Sequence, residues 1–321
     1  MALALALLVD ADEVSQLRQT HYNAQVVERR DVHDELMILR VRPDHGVTHF
    51  APGQYSVMGL GKWEPRLPGC EDEHLDDKEL RRIVKRAYSF SCSVLDGGGR
   101  LRRPSEFPYF EFYVVLVRHG EEHPPGLTPR LFALEPGDRL FVGPKATGHY
   151  TLDSVQPEDN VVLVATGTGE APHNVMVAHL LSTGHRGQIV TVTCVRRGRD
   201  LGYAEIHRQL ERDYANYRYL VLTTREPENL DASHHDFVGK RYLQDYFESG
   251  DFERDSSVRL DPRQTHVFLC GNPSMIGAPR HDAHGDHVFP TPVGMIEILS
   301  RKGFRPDEKS HPGNIHYEKY W

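Results

Sequence analysis

Two short stretches of this chain hold residue types that could do chemistry at a useful spacing. In Thr166-Gly167-Thr168-Gly169-Glu170-Ala171-Pro172, the glycines would let the backbone approach a pyrophosphate. A helix starting there would add unpaired N–H groups and a positive dipole end. Pro172 suits a first helical turn, where its missing N–H costs nothing. In Arg86-Ala87-Tyr88-Ser89, strand alternation puts Arg86 and Tyr88 on one face. That pairs a cation for a flavin phosphate with a ring that can stack on an isoalloxazine face. Ser89 could then donate a hydrogen bond to the hydride-accepting flavin nitrogen. A flavin in one half of the chain and a nicotinamide dinucleotide in the other would meet at the seam, an arrangement suited to converting hydride into single electrons.

Which dinucleotide is expected follows from the ends of the next strands. An NAD site usually presents Asp or Glu to the ribose, whereas arginine accommodates a 2′-phosphate. Here the strand runs into Val195-Arg196-Arg197-Gly198-Arg199. Arg225, Lys240 and Tyr242 follow later strands and add cations and an aromatic face for an adenosine phosphate. NADP is therefore expected in preference to NAD.

These residues need elements to hold them. Runs at 23–30, 35–41, 52–58, 86–94, 110–117 and 137–142 alternate or are rich in β-branched and aromatic residues, with Gly and Pro between them. They predict a small closed antiparallel β-barrel, with long loops at 61–82 and 96–107. From about Asn160 the pattern changes. Strands at 161–165, 189–193, 219–223 and 266–270 alternate with helices near 175–181, 204–214, 241–248 and 295–302, which predicts a doubly wound parallel sheet. The expected division is an N-terminal segment 1–21, a flavin-binding barrel 22–155 and an α/β dinucleotide domain 156–321.

Composition narrows the classes further. The chain has 321 residues, 39% hydrophobic and 26% charged, which suits two ordinary globular domains of roughly 150 residues each. A net charge of −8 argues against sequence-independent nucleic-acid binding. The four cysteines show no CxxC or iron–sulfur spacing and fit a reducing compartment, so a cytoplasmic protein is expected. The apolar opening Met1 to Val9 lacks a basic n-region and is too short to cross a bilayer, so a docked or frayed segment is expected and no membrane insertion.

From Tyr22 onward the chain resembles ferredoxin–NADP reductases. The resemblance rests on Pro52-Gly53-Gln54-Tyr55, Arg86-Ala87-Tyr88-Ser89, Gly126-Leu127-Thr128-Pro129-Arg130-Leu131, the Thr166–Pro172 turn, Cys270-Gly271-Asn272-Pro273-Ser274-Met275 and Glu318-Lys319-Tyr320-Trp321, in that order. The Cys270–Met275 form and the terminal Tyr-Trp look bacterial, whereas Lys240-Arg241-Tyr242 looks plastid-like. The resemblance implies FAD held by Arg86, Ala87, Tyr88 and Ser89 and by the backbone of Gly126, Leu127 and Thr128. It implies NADP(H) held by Thr166, Gly167, Gly169 and Pro172 and read by Arg196, Arg197, Arg225, Lys240 and Tyr242. It further implies that Tyr320 covers the flavin and moves when nicotinamide enters, that Trp321 lies near the adenine side, and that Ser89, Cys270, Glu318 and Tyr320 border the hydride transfer. The expected activity is electron exchange between NADPH and ferredoxin or flavodoxin, by a monomer. The rival readings are a reductase component serving an oxygenase or another acceptor, and a flavin-binding interaction protein without turnover.

Some features depart from that family pattern. Glu170, His173 and Asn174 occupy the dinucleotide turn and its helix, and a carboxylate at that helix start must point away from a phosphate or weaken its binding. A basic patch of Arg81, Arg82, Lys85, Arg100, Arg102 and Arg103 is expected to steer an acidic partner. His281, His284 and His287 lack a clear fourth metal ligand, and His234-His235 likewise, so solvated loops and no metal are expected.

Overall fold

The computed structural model describes residues 10–282, 284–309 and 311–320. Two compact units are present: one runs to Cys92 and resumes from Pro104 to His149, the other takes Ser93 to Arg103 and everything from Tyr150 onward. The break falls at His149, where the sequence reading places it after 155. Tyr150 already belongs to the second unit, because its hydroxyl meets His173 Nε2 at 2.7 Å and its ring packs edge-on against Phe268 at 5.5 Å.

The first unit is an antiparallel sheet of β1 (Ala24–His33), β2 (Leu36–Pro43), β3 (Tyr55–Gly61), β4 (Ile83–Ser89), β5 (Phe110–Val115) and β6 (Arg139–Val142), in the order β4-β3-β6-β1-β2-β5. Asp34 and Glu35 alone make the first hairpin turn, so β1 runs through Asp31–His33, which the sequence reading assigns to the turn. β4 stops at Ser89 rather than continuing to Val94, because Phe90 turns into the core against Phe50 and Phe110, with ring centroids 4.1 and 4.7 Å away. The end strands β4 and β5 share no ladder. Just past β4 the Ser91 N–H donates to the Glu111 carbonyl of β5 at 2.8 Å, and the rings of Tyr88 and Phe112 meet edge to face 6.4 Å apart, so the barrel closes through one backbone bridge and a side-chain contact.

A helix, Ala11–His21, precedes the barrel; Asp10 caps it by accepting from the Glu13 N–H at 2.8 Å. It docks through Arg18, whose guanidinium reaches both oxygens of Glu64 at 2.8 and 2.5 Å. Glu64 is buried and also accepts from the Tyr22 hydroxyl and the Trp63 indole, so this deep carboxylate has a donor on every side. The apolar opening, residues 1–9, lies outside the described residues.

The second unit is a parallel sheet of β7 (Asn160–Thr166), β8 (Ile189–Val195), β9 (Tyr217–Thr223), β10 (Thr265–Gly271) and, after the small hairpin β11 (Arg280–His281) and β12 (His287–Val288), β13 (Ile315–Lys319). The order β13-β10-β7-β8-β9 reverses direction at β7, so β7 and β10 flank a topological switch point. Burial on both faces explains the unbroken apolar run Val161–Ala165 of β7, and in β8, also buried throughout, the two polar residues are threonines. Helices Glu170–Ser182, Ala204–Asp213, Leu243–Glu248 and Met295–Arg301 stand where periodicity predicts, whereas β13 was not anticipated from pattern alone. Its five residues carry one β-branched residue and end in charge, too little alternation to signal a strand.

Candidate functional site

In the second unit, the switch point gathers the dinucleotide turn. Thr166 ends β7, and its hydroxyl accepts the Asn272 N–H at 2.8 Å from the chain just past β10. Gly167 has φ +54°, a conformation costly for any side chain, with open space beside it. Gly169 answers a different need: a Cβ there would lie 2.3 Å from the Cys270 carbonyl oxygen, so this glycine lets the turn close onto β10. Gly271, at φ +123°, would bring a Cβ within 2.2 Å of Thr166 Oγ1. Two strand ends are thus held close by glycine backbone and by the Thr166 hydroxyl, and Pro172 lies in the first turn of the helix that follows.

Glu170 resolves the question its position raised. Its carboxylate is 1% exposed and turned into the protein, where Oε1 accepts from Thr193 at 3.1 Å and from the Tyr219 hydroxyl at 2.9 Å. Burial pushes its pKa from 4.5 to about 7. Around it, His207 Nε2 meets Asn174 Oδ1 at 2.9 Å and its Nδ1 meets the Tyr217 hydroxyl at 2.6 Å, while the His207 and Tyr219 rings stack at 4.4 Å. With Nε2–H donating to Asn174, Nδ1 is the acceptor and the imidazole is neutral. Burial holds His207 down at about 3, and His173, buried beside Tyr150, is also down at about 3. The residues that look out of place in the turn are therefore a buried polar network beneath it, with the Glu170 carboxylate directed inward. Sequence position alone gives no signal for His207, Tyr217 or Tyr219, which come from other elements.

The register sets the remaining positions: Cys270 lies opposite Ala165 on one side and Glu318 on the other, and the Tyr320 N–H donates to the Gly271 carbonyl at 3.0 Å. The Cys270 thiol is fully buried, and burial pushes its pKa well above the ordinary thiol range, so it is not a thiolate nucleophile. Trp321 lies outside the described residues.

At the far side of the same strand ends, Thr224 N–H and Arg225 N–H donate to the Arg196 carbonyl at 3.3 and 2.8 Å, which brings Arg196 and Arg225 together. Lys240 Nζ sits over the Tyr242 ring, 5.3 Å from its centroid. Arg196, Arg197, Arg225 and Lys240 are exposed, and among the described residues none of them makes an ion pair with a carboxylate. Arg241 differs: it is paired with Asp251 and packs on Tyr246, so it serves the fold.

In the first unit, Arg86 and Ala87 lie on the end strand β4 and are both exposed, as is Lys85. Successive strand residues face opposite ways, so exposure of three in a row means neither face of this stretch is covered. Tyr88 is half-buried against Phe112 and Ser89 is buried opposite Tyr55. Gly126, Leu127 and Thr128 are pinned from below by Arg130, itself 1% exposed, which donates to Glu73 at 2.6 Å and to the carbonyls of Gly126 and Lys62 at 2.6 and 2.7 Å. The Thr128 hydroxyl accepts the Val117 N–H at 3.1 Å, and the carbonyls of Leu127 and Thr128 accept from the turn that follows.

The expected basic patch is weaker than its residue count suggests. Arg81 is paired with Glu13 at 2.5 Å, and Arg100 and Arg102 lie 3.2 and 3.9 Å from Asp96.

An oxidoreductase NAD-binding domain model matches residues 163–281. The flavodoxin/ferredoxin–NADP reductase of Escherichia coli is 30% identical over 231 residues, covering 72% of this chain and 77% of that protein. The chain belongs to the flavodoxin/ferredoxin–NADP reductase family. The ferredoxin–NADP reductase of Pseudomonas aeruginosa is 25% identical over 264 residues, 79% of this chain and 86% of the relative. In fold, the reductase is similar to a ferredoxin–NADP+ reductase from Neisseria gonorrhoeae solved with FAD and NADP bound, with a TM-score of 0.67 at 17% identity over 94% of this chain and 99% of that one. This family member is an oxidoreductase, a flavoprotein whose cofactors are FAD and NADP(H). Among its described residues, no helix is long and apolar enough to cross a membrane.

Proposed function

We propose that this reductase exchanges electrons between NADPH and a ferredoxin or flavodoxin, with the residues set out above in named roles. FAD, when bound, accepts a hydride from NADPH and releases electrons one at a time, and the protein's part is to bind and orient. Arg86 would pair with a flavin phosphate, Tyr88 would offer its ring, Ser89 would donate a hydrogen bond, and the backbone from Gly126 to Thr128 would meet the pyrophosphate. The uncovered stretch of β4 fits a group that large. Thr166, Gly167, Gly169 and Pro172 would take the dinucleotide pyrophosphate, Arg196, Arg197 and Arg225 its 2′-phosphate, and Lys240 with Tyr242 its adenosine. Glu318, Tyr320 and Cys270 would border the nicotinamide, Cys270 as a small apolar wall rather than a thiolate.

The observation that supports the NADP part of this reading is the pair Arg196 and Arg225, both exposed, tied together by a backbone bond and without carboxylate partners among the described residues. Unneutralised arginines held side by side by backbone bonds suit a dianionic phosphate and have no structural task. Anaerobic stopped-flow reduction with NADPH and with NADH, followed by ferredoxin or flavodoxin, tests the whole proposal. Faster flavin bleaching by NADPH, then reoxidation on adding either carrier, is expected. Bleaching without reoxidation by either carrier would refute the partner, and equal rates with the two nucleotides would refute the phosphate site.

A further inference from the structure

The geometry points to a divalent-metal site of the zinc type on the second unit, formed by His281, His287 and Glu308. In sequence the histidines occupy one loop with no visible further ligand. Tertiary structure changes that in two ways. First, β11 and β12 pair His281 directly with His287, so both imidazoles project from the same face, with ring centroids 4.9 Å apart. Second, Glu308 arrives from a distant turn, and its Oε1 lies 3.4 Å from His281 Nε2 and 3.1 Å from His287 Nε2. The three ligand atoms all lie within 4.8 Å of one another.

The two imidazole–carboxylate distances are close to those of a coordination shell. Bonds of about 2.0–2.1 Å to a tetrahedral ion put ligand atoms about 3.3–3.5 Å apart. Two imidazoles and one carboxylate form a donor set for Zn²⁺, poorly suited to Mg²⁺ or Ca²⁺, which prefer all-oxygen shells. The supports are built before any ion arrives. Asp282 closes the hairpin by accepting from the N–H groups of His284 and Asp286 at 2.8 and 2.9 Å, which places His284 in the turn rather than among the ligands. Glu308 is held by mutual backbone bonds with His311 at 3.1 and 2.9 Å. At 50%, 29% and 23% side-chain exposure the three ligands are open to solvent on one side, leaving a fourth position for water. His234, His235 and Asp236 also cluster, but as consecutive residues of one loop, with no ligand from elsewhere among the described residues.

Bound there, an ion would tie the β11–β12 hairpin to the turn that leads into β13. Its effect would be on stability. The test uses the full-length FAD-loaded protein, stripped with a chelator and titrated with Zn²⁺ by calorimetry, with Mg²⁺ as the hard-cation control. One equivalent of Zn²⁺ is expected to bind and to raise the thermal midpoint, and Mg²⁺ to do neither. His287→Ala and, separately, Glu308→Gln are expected to weaken binding about tenfold or more, while the double variant His234→Ala/His235→Ala binds as the wild type does. No uptake of Zn²⁺, uptake undiminished in both His287→Ala and Glu308→Gln, or uptake lost in the His234/His235 variant would each overturn the site.

Discussion

Glu170 shows how one residue can carry opposite meanings on the two sides of a turn. Next to a pyrophosphate its charge would repel; directed inward, it is held by Thr193 and Tyr219. That burial has a pH signature. Its folded pKa is raised from 4.5 to about 7, so the native state holds a proton that the unfolded chain releases at lower pH. The group therefore stabilises fully below about 4.5, loses this contribution as pH rises through 7, and leaves a penalty of about 3 kcal/mol above that. Glu170→Gln keeps an acceptor for Tyr219 and loses the charge. Its urea midpoint is expected to gain on the wild type steadily between pH 5 and pH 8; a constant offset would show that Glu170 does not titrate there. At the other end of the site, Arg225→Ala removes a charged donor worth about 1.5–3 kcal/mol to a phosphate. The expected result is a drop of about 10- to 100-fold in kcat/KM for NADPH with little change for NADH. Loss of activity toward both nucleotides alike would indicate damage to the fold rather than to phosphate recognition.

Among the elements, the ends of β7 and β10 approach so closely that Gly169 and Gly271 leave no room for a Cβ. Gly167 and Gly271 serve this contact differently, and their alanine variants separate conformation from space. Gly167→Ala adds a methyl group into open room at φ +54°, so the cost is the left-handed backbone alone, about 1–2 kcal/mol. Gly271→Ala pays a similar backbone cost and also drives a methyl group into Thr166, 2.2 Å from its hydroxyl oxygen, which adds about 1–3 kcal/mol of overpacking. Denaturant midpoints are expected to rank wild type, then Gly167→Ala, then Gly271→Ala. Weakened NADP(H) binding is expected in Gly271→Ala even where it remains folded, because Thr166 and Asn272 are displaced with it. The reverse ranking would mean that the strand ends can separate freely.

Across the whole molecule, acid should act unequally on the two units. His173 and His207 are both fully buried in the second unit, with folded pKa values lowered from 6.5 to about 3. Groups of this kind contribute stability that is complete above about 6.5 and is lost as pH falls towards 3. His316, in the same unit, is lowered too, mainly by burial. Glu170 opposes them between 7 and 4.5, so counting His173 and His207 against it leaves the unfolded unit about one proton richer, a loss of about 1.4 kcal/mol per pH unit. Hydrogen exchange at pH 5 is expected to show protection falling first in β7–β10 and the helix Glu170–Ser182, while β1–β6 keep theirs. Uniform loss across both units would refute unit-specific acid sensitivity.

Much of this protein was legible in its residues. The change from strand-only to alternating patterns marked two architectures, because side-chain periodicity reports which faces are buried. The glycines after β7 and the cations after β8 and β9 are the residues on which the proposed dinucleotide site rests, because phosphate binding needs bare backbone and positive charge in fixed places on such a sheet. Other features depend on register and direction, which no local pattern encodes. Only the folded chain turns Glu170 inward, buries the Cys270 thiol, assigns Gly169 to backbone packing, pairs Arg81 with Glu13, and carries Glu308 to His281 and His287. In each case the partner is remote in sequence, and the energy of a charge or thiol is set by what surrounds it after folding.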